Sequence, residues 1–497
     1  MITPLLSACS SGSLSSFNTL LSLGASLDAM RADGRSAIHL AAGGGHLVLA
    51  EAIHQKNPRL LLSTDNAGDT PLHIAIKSKY PQMAMVLLKL GAPIEQTNYN
   101  GFTALYYAVS VGDVDLVRTL VTDYNADMLW KTTWNASLLH VAGEAGNHQT
   151  VKILVELSQG LEFALQDDCG NTPLHYAIRL ESASVTKFLL GQGESTLNED
   201  ADSYSDLLTD DSHEEFQESK TMSAKEGINL RESTQGSTAL LLAVVNGRLD
   251  FVDLLLEAGA DADVPDDNGN SPLLLALSYR HSNIAEALLA NGANPRASNK
   301  IGQTPLYEAA RVGDYKLTEK LLEEGCDGLY PTAMGFTPFW AAVETNKVKF
   351  IELFVRHGFN GTNTSTRLGH TPYHLAAEIG NINILEKLIE VGSASVIDVD
   401  ALDIFGQSAL QFAVHGGHIE IVNHLAQMGA EVNRVNTLIL PPICAAAKVG
   451  CIEMTSRLLH LGADLETIDR DEGMTPLITA AAFRNTKNFP KSVRPQG

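Results

Sequence analysis

The residues of this chain best suited to chemistry are its sixteen histidines and five cysteines, since imidazoles bind metals and move protons while thiolates bind zinc or act as nucleophiles. Their spacing argues against both uses. His39, His73, His140, His175 and His374 each stand fourth in a short segment that opens on Thr or Ser, as in Thr70-Pro71-Leu72-His73. A ring fixed at one place in a repeated segment reads as a structural hydrogen-bonding group. His46 and His418 each follow a glycine in an equally recurrent way. Cys9, Cys169, Cys326, Cys444 and Cys451 are scattered, and no histidine stands at ligand spacing from Cys444 and Cys451. A Gly-rich phosphate loop ending in Lys-Ser/Thr, a His-Glu-x-x-His helix and a Gly-x-Ser-x-Gly elbow are all missing from the sequence. Acidic residues such as Asp65, Asp167 and Asp403 sit in turn-like segments, where carboxylates bond local backbone. No catalytic residue, cofactor site or metal site is expected, and the chain is not read as an enzyme.

The elements that carry these residues repeat. Taking the first residue of each Thr-Pro-Leu-His-like segment as an anchor gives positions 3, 36, 70, 103, 137, 172, 238, 271, 304, 337, 371, 408, 441 and 475. Most intervals are 33 or 34 residues, and an alanine follows each anchor by five, as at Ala8, Ala41, Ala75, Ala108, Ala142, Ala177 and Ala243. Thr or Ser caps a helix start and Pro suits its first turn, where no intrahelical N–H is needed. Glycines at 45, 112, 146, 247, 313 and 380 permit a tight turn into a second helix. That helix carries an apolar pair (Leu20-Leu21, Leu87-Leu88, Leu189-Leu190, Leu255-Leu256, Leu288-Leu289, Leu321-Leu322, Leu458-Leu459), read as core, and Gly-Ala follows it at 91, 259, 292, 429 and 462.

This period and tetrapeptide resemble the ankyrin repeat family, in which each repeat is a turn plus two helices. The resemblance covers nearly the whole chain and implies an all-α, curved ankyrin-repeat solenoid with a hairpin-like turn in each repeat. It also implies a concave face formed by hairpin tips and the last residues of the first helices. By register, Tyr99, Phe102, Trp130 and Trp134 are candidate partner-binding residues, followed by Tyr279, Arg311, Met334, Phe336, Leu368, Ile379 and Phe405. Aromatic, apolar and Arg side chains freed from core duty are what interface hot spots use. Residues 425–433, Leu-Ala-Gln-Met-Gly-Ala-Glu-Val-Asn, resemble a hairpin modified by asparaginyl hydroxylases, which makes Asn433 a candidate modification site.

The register breaks between Thr172 and Thr238, 66 residues apart. A slot anchored near Ser205 fails, with Asp210 where the packing alanine belongs and Met222-Ser223 in place of the leucine pair. Residues 194–235 hold twelve acidic and three basic residues, a composition too charged to offset ordering entropy. The expected organisation is an array at 1–193 of about six repeats, an acidic, mostly disordered linker or eroded repeat at 194–235, an array at 236–484 of about eight with the last incomplete, and a tail at 485–497. Ser203, Ser205, Thr209, Ser212 and Ser219 lie among acids as possible phosphorylation sites. A few extra residues fall around 393–398. Neither end carries a polar cap, so the chain reads as a partial gene product or as one whose ends are covered by missing sequence or a partner.

With 497 residues and a net charge of -23, the chain disfavours nucleic acid and anionic membrane surfaces and favours partners with basic segments. Apolar runs are far short of a membrane span, no secretory leader is evident, and scattered cysteines fit an intracellular compartment, cytoplasmic with a nuclear location open. The expected function is a non-catalytic, monomeric scaffold or adaptor that binds a protein of unknown identity on the concave face. The alternatives are the targeting arm of a larger enzyme, such as a ubiquitin ligase receptor or kinase, and the cytoplasmic module of a channel.

Overall fold

The anchors do start helices. Thr70 is extended at ψ 167° and its hydroxyl accepts the His73 N–H, after which Pro71–Lys77 runs as a helix with proline in its first turn. The same cap opens Ala104–Val111, Ala239–Val245, Pro305–Val312 and Pro338–Glu344. Among the described residues, each first helix before Pro476–Ala482 is followed by a residue in the left-handed region nine positions after its anchor. Gly45, Gly112, Gly146, Gly247, Gly313 and Gly380 supply it where the sequence has glycine. Lys79, Glu181, Arg280 and Asn346 adopt the same conformation, at φ between 56° and 64°, where it does not. The second helix then runs antiparallel to the first, as in Pro81–Lys89 or Val114–Thr122, the latter capped by Asp113 accepting the Leu116 N–H at 3.0 Å.

The computed structural model describes residues 3–157, 164–191, 227–392, 398–435, 439–470 and 473–483. Its regular elements among these residues are helices, joined by hairpin-like turns. Contacts divide the chain into two compact units, Met1–Asp267 and Asn268–Gly497. Within each, first helices stack on first helices and second helices on second helices, so a repeat buries its apolar face only on its neighbours. The alanines at anchor-plus-five, such as Ala41, Ala75, Ala108, Ala276 and Ala309, are fully buried. Leu87, Leu120, Leu255, Leu288, Leu321, Leu425 and Leu458 fill the space between helix pairs, each stabilising its interface by roughly 1.5–3 kcal/mol. The apolar pairs are less uniform than their sequence implies. Leu256, Leu289 and Leu459 are only half-buried, as are both Leu20 and Leu21.

Across the 66-residue interval, helix Pro173–Arg179 packs directly on helix Ala239–Val245. His175 Nε2 reaches the Ser237 carbonyl at 3.1 Å, the Ser233 N–H donates to the Cys169 carbonyl at 2.7 Å, and Arg248 pairs with Glu181. Residues 227–235, which the sequence assigns to the acidic segment, form the hairpin leading into the next repeat, with Ile228 and Glu232 buried. Where sequence reading places a break at 194–235, the compact units divide between Asp267 and Asn268. Asp210, Met222, Ser223 and the five candidate phosphorylation sites lie outside the described residues, as do 393–397 and 485–497. Among the described residues no helix is long and apolar enough to cross a membrane.

Candidate docking surface

In most of the repeats whose turn is described, five residues precede the anchor and form a closed hairpin tip. In Asn299–Gln303 the Asn299 N–H donates to the Gln303 carbonyl at 3.0 Å, and the Asn299 amide oxygen accepts the N–H groups of Ile301 and Gln303. Asp65, Asn98, Asp167 and Asp403 do the same in their repeats, and Thr132, Thr332 and Thr366 do it with one bond each. These turn aspartates are therefore committed to backbone N–H groups. The fourth residue is left-handed: Gly302, Gly335, Gly369 and Gly406, with Asn135 taking the place once. The glycines also allow close approach, since a Cβ on Gly335 would lie 2.8 Å from Thr366 Cα.

Successive tips are stitched together by backbone bonds. In the second unit Lys300 N–H donates to Asn268 O, Ala333 to Ile301, Arg367 to Met334 and Ile404 to Leu368, at 2.8–2.9 Å. The ladder holds the second and third residues of each tip outward. The third residues are Ile301, Met334, Leu368 and Phe405, exposed by 56, 49, 36 and 47%. They make a row of large apolar side chains at equivalent positions, joined by Ile404 at 60%. Sequence reading picks out Met334, Leu368 and Phe405 but misses Ile301 and Ile404, though both occupy the same two positions before the tip glycine.

The other candidates divide into three kinds. Tyr99 projects almost fully, at 77% exposed, and Tyr279 is also exposed, stacked beside His281 at 6.2 Å. Phe102, Trp130 and Phe336 are half-buried: Phe102 stacks on Tyr106 at 3.9 Å and meets Trp134 edge-on at 5.6 Å, while Trp130 meets Tyr106 at 5.7 Å and Phe336 packs on Trp340 at 5.7 Å. Burial within this cluster pushes the Tyr106 hydroxyl up to about 12. Trp134 leaves part of its ring exposed and Ile379 is half-buried. Arg311 is paired: its guanidinium holds buried Glu308 at 2.6 Å, which compensates a carboxylate that would otherwise be desolvated alone.

The histidines that stand fourth in the anchor segments bond neighbouring backbone. The Nδ1 atom of His140 accepts the Ser137 N–H at 3.0 Å, so Nε2 carries the proton and donates to the Asn171 carbonyl of the next repeat, also at 3.0 Å. His39, His175 and His374 make the same pair of bonds, to Asp69, Ser237 and Gln407 carbonyls. Desolvation lowers the pKa of all of them, and of His73 and His175 to about 4. His46 and His418 bridge repeats through Ser10 and Glu378 carbonyls. Burial raises the Cys9 and Cys444 thiols to about 12 and Cys326 to about 11, which suppresses the thiolate. Among the described residues no cluster of His, Cys, Asp or Glu has the arrangement of a metal site. Asn433 spans two hairpins, its Nδ2 donating to Gly462 O at 2.9 Å and its Oδ1 accepting the Asp464 N–H at 2.8 Å.

Family comparison matches this repetition along the chain. A model described as ankyrin repeats (3 copies) matches residues 5–98, 59–132, 105–200, 219–299 and 339–436, and an ankyrin repeat model matches 301–332. The chain is similar to the transient receptor potential cation channel subfamily A member 1 homolog of Caenorhabditis elegans, at 28% identity over 38% of this chain and 15% of that protein. It is similar to the human member 1 protein at 35% over 25% of this chain and 11% of the relative. A probable 26S proteasome regulatory subunit p28 of Saccharomyces cerevisiae is 25% identical over 44% of this chain and 83% of its own length. The chain thus spans only a small part of the two channel proteins.

Proposed function

The chain belongs to the ankyrin repeat family, and from that premise we propose that it is a non-catalytic scaffold that docks a protein partner on its hairpin-tip face. The observation that carries this is the row Ile301, Met334, Leu368 and Phe405, exposed on four successive tips of one stitched ladder. Exposed large apolar side chains in one contiguous row mark interaction surfaces, and a ladder that fixes their backbone reduces the ordering cost of binding. Five cysteines without disulfides are consistent with action inside the cell. Hydroxylation of Asn433 belongs to the same proposal; digestion and mass spectrometry of the native protein would show one added oxygen on that residue.

The test is cross-linking capture with the intact chain beside a Met334→Ser, Leu368→Ser, Phe405→Ser variant. All three side chains are exposed, so the fold is retained and partner recovery falls about tenfold or more if these side chains act as hot spots. Equal recovery from both chains would remove the assignment of this face. A second reading, that the array is one portion of a longer polypeptide carrying an enzyme or channel domain, is favoured by the channel relatives, whose aligned regions are 15% and 11% of their lengths. Sequencing of full-length transcripts decides it, because a catalytic or membrane-spanning segment would be encoded in the same frame.

A further inference from the structure

The tip ladder of the second unit differs in charge from the chain that carries it. Four successive tips of it among the described residues, 299–303, 332–336, 366–370 and 403–407, present eight outward side chains: Lys300 and Ile301, Ala333 and Met334, Arg367 and Leu368, Ile404 and Phe405. Two are cations and none is a carboxylate, in a protein of net charge -23. Asp403, the single acid in these tips, is buried, with one oxygen accepting the Phe405 and Gln407 N–H groups and the other 3.4 Å from His370 Nε2. Lys300 and Arg367 are exposed. The ion pairs of this unit engage other cations, such as Arg311 with Glu308, Lys316 with Glu286 and Arg434 with Glu431. Exposed carboxylates lie instead at the ends of the first helices, at Glu344 and Glu378.

Resting on the docking function proposed above, we infer that this ladder takes an apolar protein segment bearing Asp or Glu, rather than the basic segment that net charge alone suggests. The apolar residues of the partner fill the spaces beside Ile301, Met334, Leu368 and Phe405, and its carboxylates meet Lys300 and Arg367. Complementary charge beside an apolar row sets partner choice and orientation more than it sets affinity. Repeats packed at about 10 Å put Lys300 and Arg367, two repeats apart, about 20 Å from each other. A polyproline-type segment covers one repeat in about three residues at 3.1 Å each, returning to the same face every third residue, and a helix in about seven at 1.5 Å. The matching sequence therefore has apolar residues at every third or every seventh position, with acids beside the first and third of them.

A library of random twenty-residue peptides selected on the intact chain tests this, with Leu368→Ser/Phe405→Ser and Lys300→Glu/Arg367→Glu chains as comparisons. All four side chains are exposed, and circular dichroism checks that each variant stays folded. The expected peptides are enriched in Asp and Glu over Lys and Arg relative to the unselected library. Their affinity drops about tenfold or more on the serine variant and about tenfold on the charge reversal, and exchanging their acids for lysines restores binding to the reversed chain. Peptides lost on the serine variant but neutral or basic, or indifferent to charge reversal, overturn the inference while leaving the docking face in place. Recovery of no peptide, or only of peptides indifferent to both variants, removes the docking face and the inference together.

Discussion

Five histidines, His39, His73, His140, His175 and His374, share one bond that bears on their chemistry. A ring whose Nδ1 accepts the anchor N–H cannot take a second proton there without losing that bond, and burial opposes the charge as well. For His175 both effects act at an inter-repeat contact, and its folded pKa is about 4 against an ordinary value of 6.5. Above pH 6.5 neither folded nor unfolded chain is protonated, so the contact contributes fully. As pH falls from about 6.5 to 4 the unfolded chain takes up the proton first, and stability is lost through that window, on the order of 3 kcal/mol for such a ring. Gln411 shows what a non-titrating substitute looks like, its amide oxygen accepting the Ser408 N–H at 3.0 Å in the histidine's place. His175→Gln should therefore shrink the difference in urea stability between pH 7 and pH 5 by roughly 1–2 kcal/mol, measured by equilibrium unfolding of the first unit. An unchanged difference would show that His175 does not titrate in this range.

At the scale of the element, the caps, the packing alanines and the turn glycines were legible because each answers a local requirement of the backbone. What was not legible is how firmly the fold imposes a conformation on residues unsuited to it. Arg280 holds φ 64° at the turn where other repeats have glycine, and its side chain is exposed without an ion pair among the described residues. Arg280→Gly should stabilise the second unit by about 1 kcal/mol, the left-handed penalty less glycine's extra chain entropy. Gly335→Ala should do the reverse by at least about 1–2 kcal/mol, because it combines φ 85° with a Cβ 2.8 Å from the Thr366 backbone. Thermal midpoints of the two variants, shifted in opposite directions, check both statements. The candidate site was legible to the same degree. Register placed Met334, Leu368 and Phe405 on the tips, but position alone could not reveal that Glu308 already occupies Arg311 or that Phe102 and Phe336 pack on neighbouring rings.

For the molecule as a whole, the informative place is the interval where the period doubles. Composition at 194–235 left open whether the two arrays stack continuously, because sequence spacing reports the length of chain between anchors and not the distance between them. Helix Pro173–Arg179 meets helix Ala239–Val245 directly, and the bonds His175–Ser237 and Ser233–Cys169 repeat those made between ordinary neighbours. Nearest-neighbour coupling is what makes a solenoid unfold as a unit, and here the helix contact and these bonds offer a route for it from one side of the interval to the other. Closing a loop of a few tens of residues costs little more than closing a shorter one, about 0.6 kcal/mol per doubling. Replacing residues 194–224 by a flexible Gly-Ser segment of equal length should therefore leave a single cooperative unfolding transition for the first unit, within about 1 kcal/mol of the parent. Val244→Asp, which puts a charge at a fully buried position of helix Ala239–Val245, should instead split the transition, with that helix and its neighbours losing amide-exchange protection before Pro173–Arg179. Splitting caused by the Gly-Ser replacement itself would mean that the intervening residues, and not the helix contact, couple the two sides.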